Sequence, residues 1–234
     1  MMIVNTRPKS LSNNLKKLAM DLGIEINNIH MSKINFIAPK EDSICKIQNI
    51  DSYKNIIFTS QNSVINGLKI IEDFHSINSL NNNFLTTGPS TSNKLLQKGV
   101  RSISPLEHSS KGILDLIRTN FPGKNLLFCG NNSNGFLQKS LNEDLDEIIC
   151  YEVSYLPEEV KKIINIKEVL LIYNFGTFQF LIDHLDKAIL ENKIFIVASE
   201  RIKKKLNKEH RGLEVYVSSG PSDKMMISMA KNFI

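Results

Sequence analysis

The stretch IIFTSQNSVINGL, residues 56–68, changes character midway. Ile56, Ile57 and Phe58 form an apolar, strand-like run. Thr59, Ser60, Gln61, Asn62 and Ser63 are five consecutive hydrogen-bonding side chains, and Val64, Ile65 and Leu68 then fall at helical spacing. A buried strand that passes straight into a helix through a polar turn is the repeating unit of a parallel α/β sheet. A helix cap needs only one or two of those polar groups, so the stretch also raises the question of what the others hold.

Outward from this stretch the same alternation continues. Apolar runs predict strands over 2–5, 56–59, 84–87, 125–129, 168–173, 193–198 and 214–218. Amphipathic stretches predict helices over 11–22, 63–74, 90–98, 110–118, 135–141, 178–190, 200–207 and 223–232. In the first of these Leu11, Leu15 and Leu18 keep helical spacing, Gly23 ends the run, and Ile24 and Ile26 restart an extended one. The order is that of parallel sheets covered by helices on both faces.

The chain also echoes itself. NIIFTSQNSVINGL from 55 resembles EVLLIYNFGTFQFL from 168, and NNFLTTGPSTSNKLLQKG (82–99) resembles NKIFIVASERIKKKL (192–206). HSSKGILDLI (108–117) and SSGPSDKMMISMA (218–230) follow in the same order. Two similar α/β domains account for the repeat. The stretches 34–51 and 150–159, mixed in composition, are the candidate crossings between them.

Composition narrows the function classes. At 234 residues and 41% hydrophobic, the chain has enough apolar material for two cores. Its longest apolar stretch, 169–173, is strand-sized, too short to span a membrane. The opening MMIVNTRPKS lacks a charged region followed by a long apolar one, so no signal peptide is expected. Cys45, Cys129 and Cys150 are odd in number, with no C-x-x-C pair. That pattern speaks against a disulfide framework or zinc site and for a reducing cytoplasm. The net charge of +5 owes much to Arg201, Lys203, Lys204, Lys205, Lys208 and Arg211. Without interleaved aromatics this run reads as the solvated face of a helix before it reads as a nucleic-acid site. Attraction to a small polyanion is the third option.

Candidate chemistry sits where the predicted strands end. Asn5-Thr6-Arg7-Pro8, Thr59-Ser60-Gln61-Asn62, Thr87-Gly88-Pro89-Ser90-Thr91 and Gly130-Asn131-Asn132-Ser133 are all small and polar. Asn174-Phe175-Gly176-Thr177, Ser199-Glu200 and Ser218-Ser219-Gly220 complete the series. One such loop is an ordinary helix cap. Seven of them suggest a ligand surface at the carboxyl ends of the strands, where helix starts present free N–H groups to carboxylates or phosphates. There is no Walker A loop, no G-x-G-x-x-G after the first strand and no G-x-S-x-G elbow. His30, His75, His108, His184 and His210 lack metal-ligand spacing.

In order and spacing these loops resemble the uroporphyrinogen-III synthase family. IVNTRP is similar to the family's opening V-T-R-P, and IIFTSQNSV to its I-F-T-S-x-x-x-V segment. TTGPSTSNKLLQKGV is similar to V-G-x-x-T-A-x-x-L-x-x-x-G, with Gly88 and Thr91 in register. LLFCGNNSNGFLQKSL and CYEVSY, with Tyr151, look like the next two segments. The second half departs from the pattern: Tyr173-Asn174-Phe175-Gly176-Thr177 stands where the family has T-S-P-S-G, and Ala198-Ser199-Glu200-Arg201-Ile202 where it has I-G-x-x-T-A.

The resemblance implies two domains joined by two extended crossings with a cleft between them. One is discontinuous (1–37 and 153–234) and the other is inserted (38–152). It further implies closure of linear hydroxymethylbilane into a macrocycle with its last pyrrole inverted and water lost. Such a lyase needs no metal and no cofactor, and is expected to be cytoplasmic and monomeric, with no nucleic-acid or membrane partner. Tyr151 is the candidate general acid. Arg7, Thr59, Ser60, Gln61, Thr91, Gly130, Asn131, Asn174, Gly176, Thr177, Ser199 and Arg201 are the candidate substrate contacts. The competing readings are a two-lobed binding protein for a small polyanion, without turnover, and a nucleic-acid-associated protein using the basic run.

Overall fold

The computed structural model describes residues 1–210 and 212–234, without the side chains of 207–209. Arg211 and the side chain of Lys208 in the basic run therefore lie outside what is described. In chain order the elements are β1 (Met2–Asn5), α1 (Asn13–Asp21), β2 (Ile26–Asn28), β3 (Ser32–Phe36), α2 (Glu41–Gln48), β4 (Asn55–Phe58) and α3 (Gln61–Glu72). Next come β5 (Asn83–Thr86), α4 (Pro89–Leu96), α5 (Ser110–Asn120), β6 (Asn125–Gly130), α6 (Phe136–Leu141) and β7 (Leu145–Tyr155). The chain ends with α7 (Pro157–Val160), β8 (Glu168–Ile172), α8 (Phe175–His184), α9 (Lys187–Glu191), β9 (Lys193–Val197), α10 (Glu200–Glu209), β10 (Glu214–Val217) and α11 (Asp223–Ala230). No helix among the described residues is long and apolar enough to cross a membrane.

The chain divides into two compact units, unit 1 being Met1–Lys33 with Ser154–Ile234 and unit 2 being Ile34–Val153. Unit 1 holds a sheet in the order β10-β9-β8-β1-β2, parallel throughout. Unit 2 is built on β5-β4-β6-β7, also parallel, with β3 on the outer edge of β7. β3 and β7 run antiparallel. Near one end the Ile37 N–H donates to the Cys150 carbonyl, and near the other the Leu156 N–H donates to Met31, both at 3.1 Å. The chain leaves unit 1 along β3 and returns along β7.

Several elements differ from the sequence pattern: β3 and β7, read only in part as crossings, are strands of the unit 2 sheet. The stretch 34–51 contains a helix, α2, whose acidic Glu41 and Asp42 suit its first turn. Only Ile47 of it is fully buried, so its apolar periodicity is weak. The predicted helix 178–190 is two helices: it starts earlier, at Phe175, and breaks where Leu185 turns extended and Asp186 begins α9.

Why the mid-strand residues are apolar is plain from burial: β4, β6, β8 and β9 are buried at every position. In unit 2 Phe58 stacks on Phe128 at 5.2 Å, and α3 crosses this pair at Gly67. A Cβ on Gly67 would stand 2.8 Å from both rings, which is why the opening stretch carries a glycine mid-helix despite the propensity cost.

The amino ends of the strands are polar in both units, by different chemistry. In unit 2 the in-register residues Asn83, Asn55 and Asn125 form a ladder. The Asn83 amide donates to Asn55 at 3.0 Å and the Asn55 amide to Asn125 at 2.8 Å. In unit 1 the paired residues Glu168 and Lys193 form a fully buried ion pair at 2.7 Å. These ends face away from the strand-end loops and so carry fold stability. A polar cavity of about 450 Å³ also lies at this end, lined by Asp51, Tyr53, Lys54 and Asn82 among others.

Candidate functional site

In unit 2 the strand order reverses between β4 and β6. From β4 the chain moves outward to β5, and from β6 it moves the other way to β7. Parallel sheets leave a ligand crevice at such a reversal, outside the carboxyl ends of the strands. Thr59 and Ser60 follow β4 there, and Gly130 and Asn131 stand at the end of β6. Ser60 caps α3: its Oγ accepts from the Ser63 N–H, and its own N–H donates to Ser63 Oγ, both at 3.0 Å. This reciprocal box consumes two of the five polar side chains. The Thr59 carbonyl accepts from the Thr87 hydroxyl at 3.0 Å, and Gln61 stands half-exposed at the first helical position.

Tyr151 reaches into the same crevice. Its hydroxyl lies 3.0 Å from Ser60 Oγ. The ring lies against Gly130, where a Cβ would come within 2.5 Å of the phenol Cζ. The β6–β7 ladder skips a residue here, pairing Cys129 with Ile149 but Gly130 with Tyr151. Such a bulge re-aims the side chain that follows it. Asn131 closes the turn, with its N–H donating to the Tyr151 carbonyl at 3.1 Å and its Oδ1 accepting from the Val153 N–H at 3.3 Å. Two hydroxyl groups share one mutual hydrogen bond in the Ser60–Tyr151 pair. Whichever way it runs, one O–H proton is left for a ligand. Burial raises the Tyr151 pKa, partly offset by the Ser60 bond, so the phenol keeps its proton and serves as a donor.

Gly130→Ala tests this geometry. The added methyl must displace the Tyr151 ring, so the variant is expected to stay folded while losing about 1–3 kcal/mol. A thermal melt checks it, and an unchanged midpoint would show that the ring does not rest on this glycine.

In unit 1 the reversal lies between β1 and β8. Thr6 and Arg7 follow β1, and Tyr173 and Asn174 follow β8. Thr6 is buried and donates to the Leu171 carbonyl at 2.6 Å, tying the two strand ends together. The Arg7 guanidinium sits 4.3 Å over the Tyr173 ring and pairs with Asp223 at 2.6 Å. Asn174 caps α8 through its Oδ1, which accepts from the Thr177 N–H at 2.8 Å. Thr177 is buried. Gly176 accommodates Tyr155, whose hydroxyl would lie 2.2 Å from a Cβ at that position. The Tyr155 ring stacks on Phe180 at 4.8 Å.

The remaining candidates lie outside the two reversals. Thr91 is buried on α4, next to β5. Ser199 begins α10 without a capping bond from its side chain, and Arg201 is exposed on that helix. Ile202 and Leu206 are buried on the other face of α10, while Lys205 sits 4.6 Å over the Phe175 ring. The structure therefore brings Thr59, Ser60, Gly130, Asn131 and Tyr151 together in unit 2, and Arg7 and Asn174 close to one reversal in unit 1. Tyr155, Tyr173 and Asp223 were missed. Asp223 reads as an ordinary first-turn acid of a helix, and Tyr173 as the last residue of a strand.

A family model described as Uroporphyrinogen-III synthase HemD matches residues 13–228. The chain belongs to the uroporphyrinogen-III synthase family. Membership makes it an enzyme acting on a small molecule and ties it to tetrapyrrole, porphyrin and haem biosynthesis. Among solved structures it is similar to uroporphyrinogen-III synthetase of Helicobacter pylori, with a TM-score of 0.69 at 15% identity over 100% of this chain and 99% of that one. It is also similar to a mutant uroporphyrinogen III synthase of the extremely thermophilic bacterium Thermus thermophilus, with a TM-score of 0.67 at 15% identity over 99% and 98%. At such identity these two support the synthase fold. No curated protein sequence matches.

Proposed function

We propose that the chain closes hydroxymethylbilane into uroporphyrinogen III, a dehydrating lyase reaction. The observation that carries this reading is the family match over residues 13–228. The Tyr151–Ser60 pair at the crevice of unit 2 gives it a chemical focus. The substrate's hydroxyl takes up a proton from solvent and leaves as water, giving an azafulvene cation. Its methylene carbon bonds to the already substituted α-carbon of the last pyrrole, forming a spirocyclic pyrrolenine. The older bond from that α-carbon to the third ring's methylene then breaks, the freed methylene bonds to the pyrrole's other α-carbon, and that carbon's proton goes back to solvent as the ring regains aromaticity. Closure without inversion already occurs in water, so the enzyme's main work is to fold the chain of pyrroles into the one productive shape.

Acetate and propionate groups on every pyrrole give hydrogen-bond donors many handles. Helix-start N–H groups of α3 and α8, the free O–H of the Ser60–Tyr151 pair, and Thr59, Gln61, Asn131, Ser199 and Arg201 supply them. Tyr151 donates a hydrogen bond to the departing hydroxyl; burial raises its pKa and keeps the phenol protonated, the state a donor or general acid requires. Gly130, Gly176, Thr91 and Thr177 shape these turns. On this reading the enzyme acts as a cytoplasmic monomer. Its three scattered cysteines suit a reducing compartment.

Purified protein incubated with enzymatically generated hydroxymethylbilane is expected to yield the type III isomer. Type I alone, at the uncatalysed rate, would sink the synthase reading in favour of a binding protein. Tyr151→Phe removes one hydrogen bond to the reacting oxygen and should lower kcat by about three- to tenfold. A melt superimposable on the parent's with undiminished kcat would assign the residue to packing.

A further inference from the structure

We propose that Asp223 is a positioning residue, one that holds Arg7 as a fixed fork for a substrate carboxylate at the β1–β8 reversal of unit 1. The proposal rests on the reading above, that the ligand is a polycarboxylate. Asp223 and Arg7 are 216 residues apart in sequence, and their side chains are 5% and 12% exposed. The carboxylate is almost fully used. Oδ1 accepts from Arg7 Nη1 at 2.6 Å and from the Tyr173 hydroxyl at 2.9 Å, and Oδ2 accepts from the Asn14 amide at 2.7 Å. Three segments (the loop after β1, helix α1 and the end of β8) thus converge on one residue at the start of α11.

Arg7 is anchored on several sides. Its N–H donates to Asn5 Oδ1 at 3.1 Å, and its carbonyl lies 2.7 Å from His30 Nδ1. Its guanidinium face is covered by Tyr173 at 4.3 Å. A guanidinium has five N–H donors in a rigid plane, and Asp223 takes one nitrogen. The Arg7 side chain is 12% exposed, so part of the fork reaches solvent. These contacts orient it, and it keeps N–H groups beyond the one that Asp223 takes.

The pair also decides what kind of help Arg7 gives. Its charge and that of Asp223 cancel at contact distance, so long-range attraction of an anion is not its role. What remains is directed hydrogen bonding, the planar match of guanidinium to carboxylate that needs no net charge. A plain structural ion pair would tie α11 to the β1 loop equally well, but it would have no effect on ligand affinity once folding is accounted for.

The test uses uroporphyrin III, the stable oxidised form of the cyclic product, as an octacarboxylate probe in calorimetric titration of the full chain. Asp223→Asn keeps the shape and removes the charge. It is expected to weaken binding roughly tenfold, and Tyr173→Phe to weaken it by about two- to threefold. In an Arg7→Ala background, Asp223→Asn should cause no further loss. Parent-like affinity in the folded Asp223→Asn variant, an equal loss with Arg7 absent, or a parent chain that does not bind the probe would each overturn the proposal. A parent that binds the probe with this coupling yet makes only type I product would instead overturn the synthase reading and leave the role of Asp223 standing.

Discussion

Replacing Lys193 with methionine is expected to lower stability by about 3–5 kcal/mol, as for other buried ion pairs broken on one side. The Lys193 side chain is 0% exposed and that of Glu168 is 1%. Its ammonium uses all three donors, to Glu168 Oε2 at 2.7 Å and to the carbonyls of Ile164 and Ile166 at 2.6 and 2.7 Å. Methionine fills the space but leaves a buried carboxylate uncompensated and two carbonyls without a donor. Pairing Lys193→Met with Glu168→Leu removes the stranded charge and should recover about half of the loss. Full recovery is not expected, because the two carbonyls remain, each costing roughly 1 kcal/mol or more. Urea titration followed by circular dichroism reads both variants. Since Lys193 sits in unit 1, that unit should unfold first and the transition should split in two. A single-variant loss below about 1 kcal/mol would show that water reaches the site.

Alkaline pH should unfold unit 2 cooperatively near pH 11. Burial pushes the Cys129 thiol up to about 12, helped by the neighbouring Glu147 carboxylate, and pushes Cys150 up to about 12 as well. Both are close to fully buried, at 1% and 0% exposure. Above pH ~9 an unfolded chain releases these protons while the folded one keeps them. The unfolded state then binds fewer protons, so stability falls as pH rises. The loss is roughly 1.4 kcal/mol per pH unit for each thiol, beginning near pH 9. Tyr53, Tyr151, Tyr155 and Tyr173 are all raised chiefly by burial and add a loss of the same sign above pH ~10. By pH ~11 the thiols alone account for about 5 kcal/mol, comparable with the whole stability of many domains. Below pH ~9 these groups leave stability flat. Tyrosinate absorbance should appear together with loss of circular dichroism. Gradual ionisation around pH ~10 in a chain that stays folded would contradict the burial of these groups. Cys129→Ala with Cys150→Ala should move the onset up by about one pH unit.

How much of this was legible in the chain depends on how far apart the interacting residues lie. The passage from Ile56 through Ser60 to Leu68 could be read directly, because strand, cap and helix signals are all local. The Ser60–Ser63 box spans three residues, and its chemistry is written in the residue types. The break at Leu185 was not legible, since the periodicity of 178–190 suits one helix as well as two. The Asn55–Asn125 ladder and the Glu168–Lys193 pair join residues 70 and 25 apart, and nothing local marks them as partners.

The candidate site divides in the same way. Polar strand ends, and the resemblance they carry, point to loops rich in donors. That Tyr151 rests on Gly130 and meets Ser60, 91 residues away, depends on β6 lying between β4 and β7. That Arg7 is held by Asp223 depends on the first and last segments of the chain folding into one unit. By itself the sequence determined where strands give way to helices and which turns are rich in donors, because helical and strand periodicity and capping are properties of neighbouring residues. Only the tertiary structure decided which donors are spent on the fold and which stay open, because a hydrogen-bond donor has no preference among acceptors until sheet order brings one within about 3 Å.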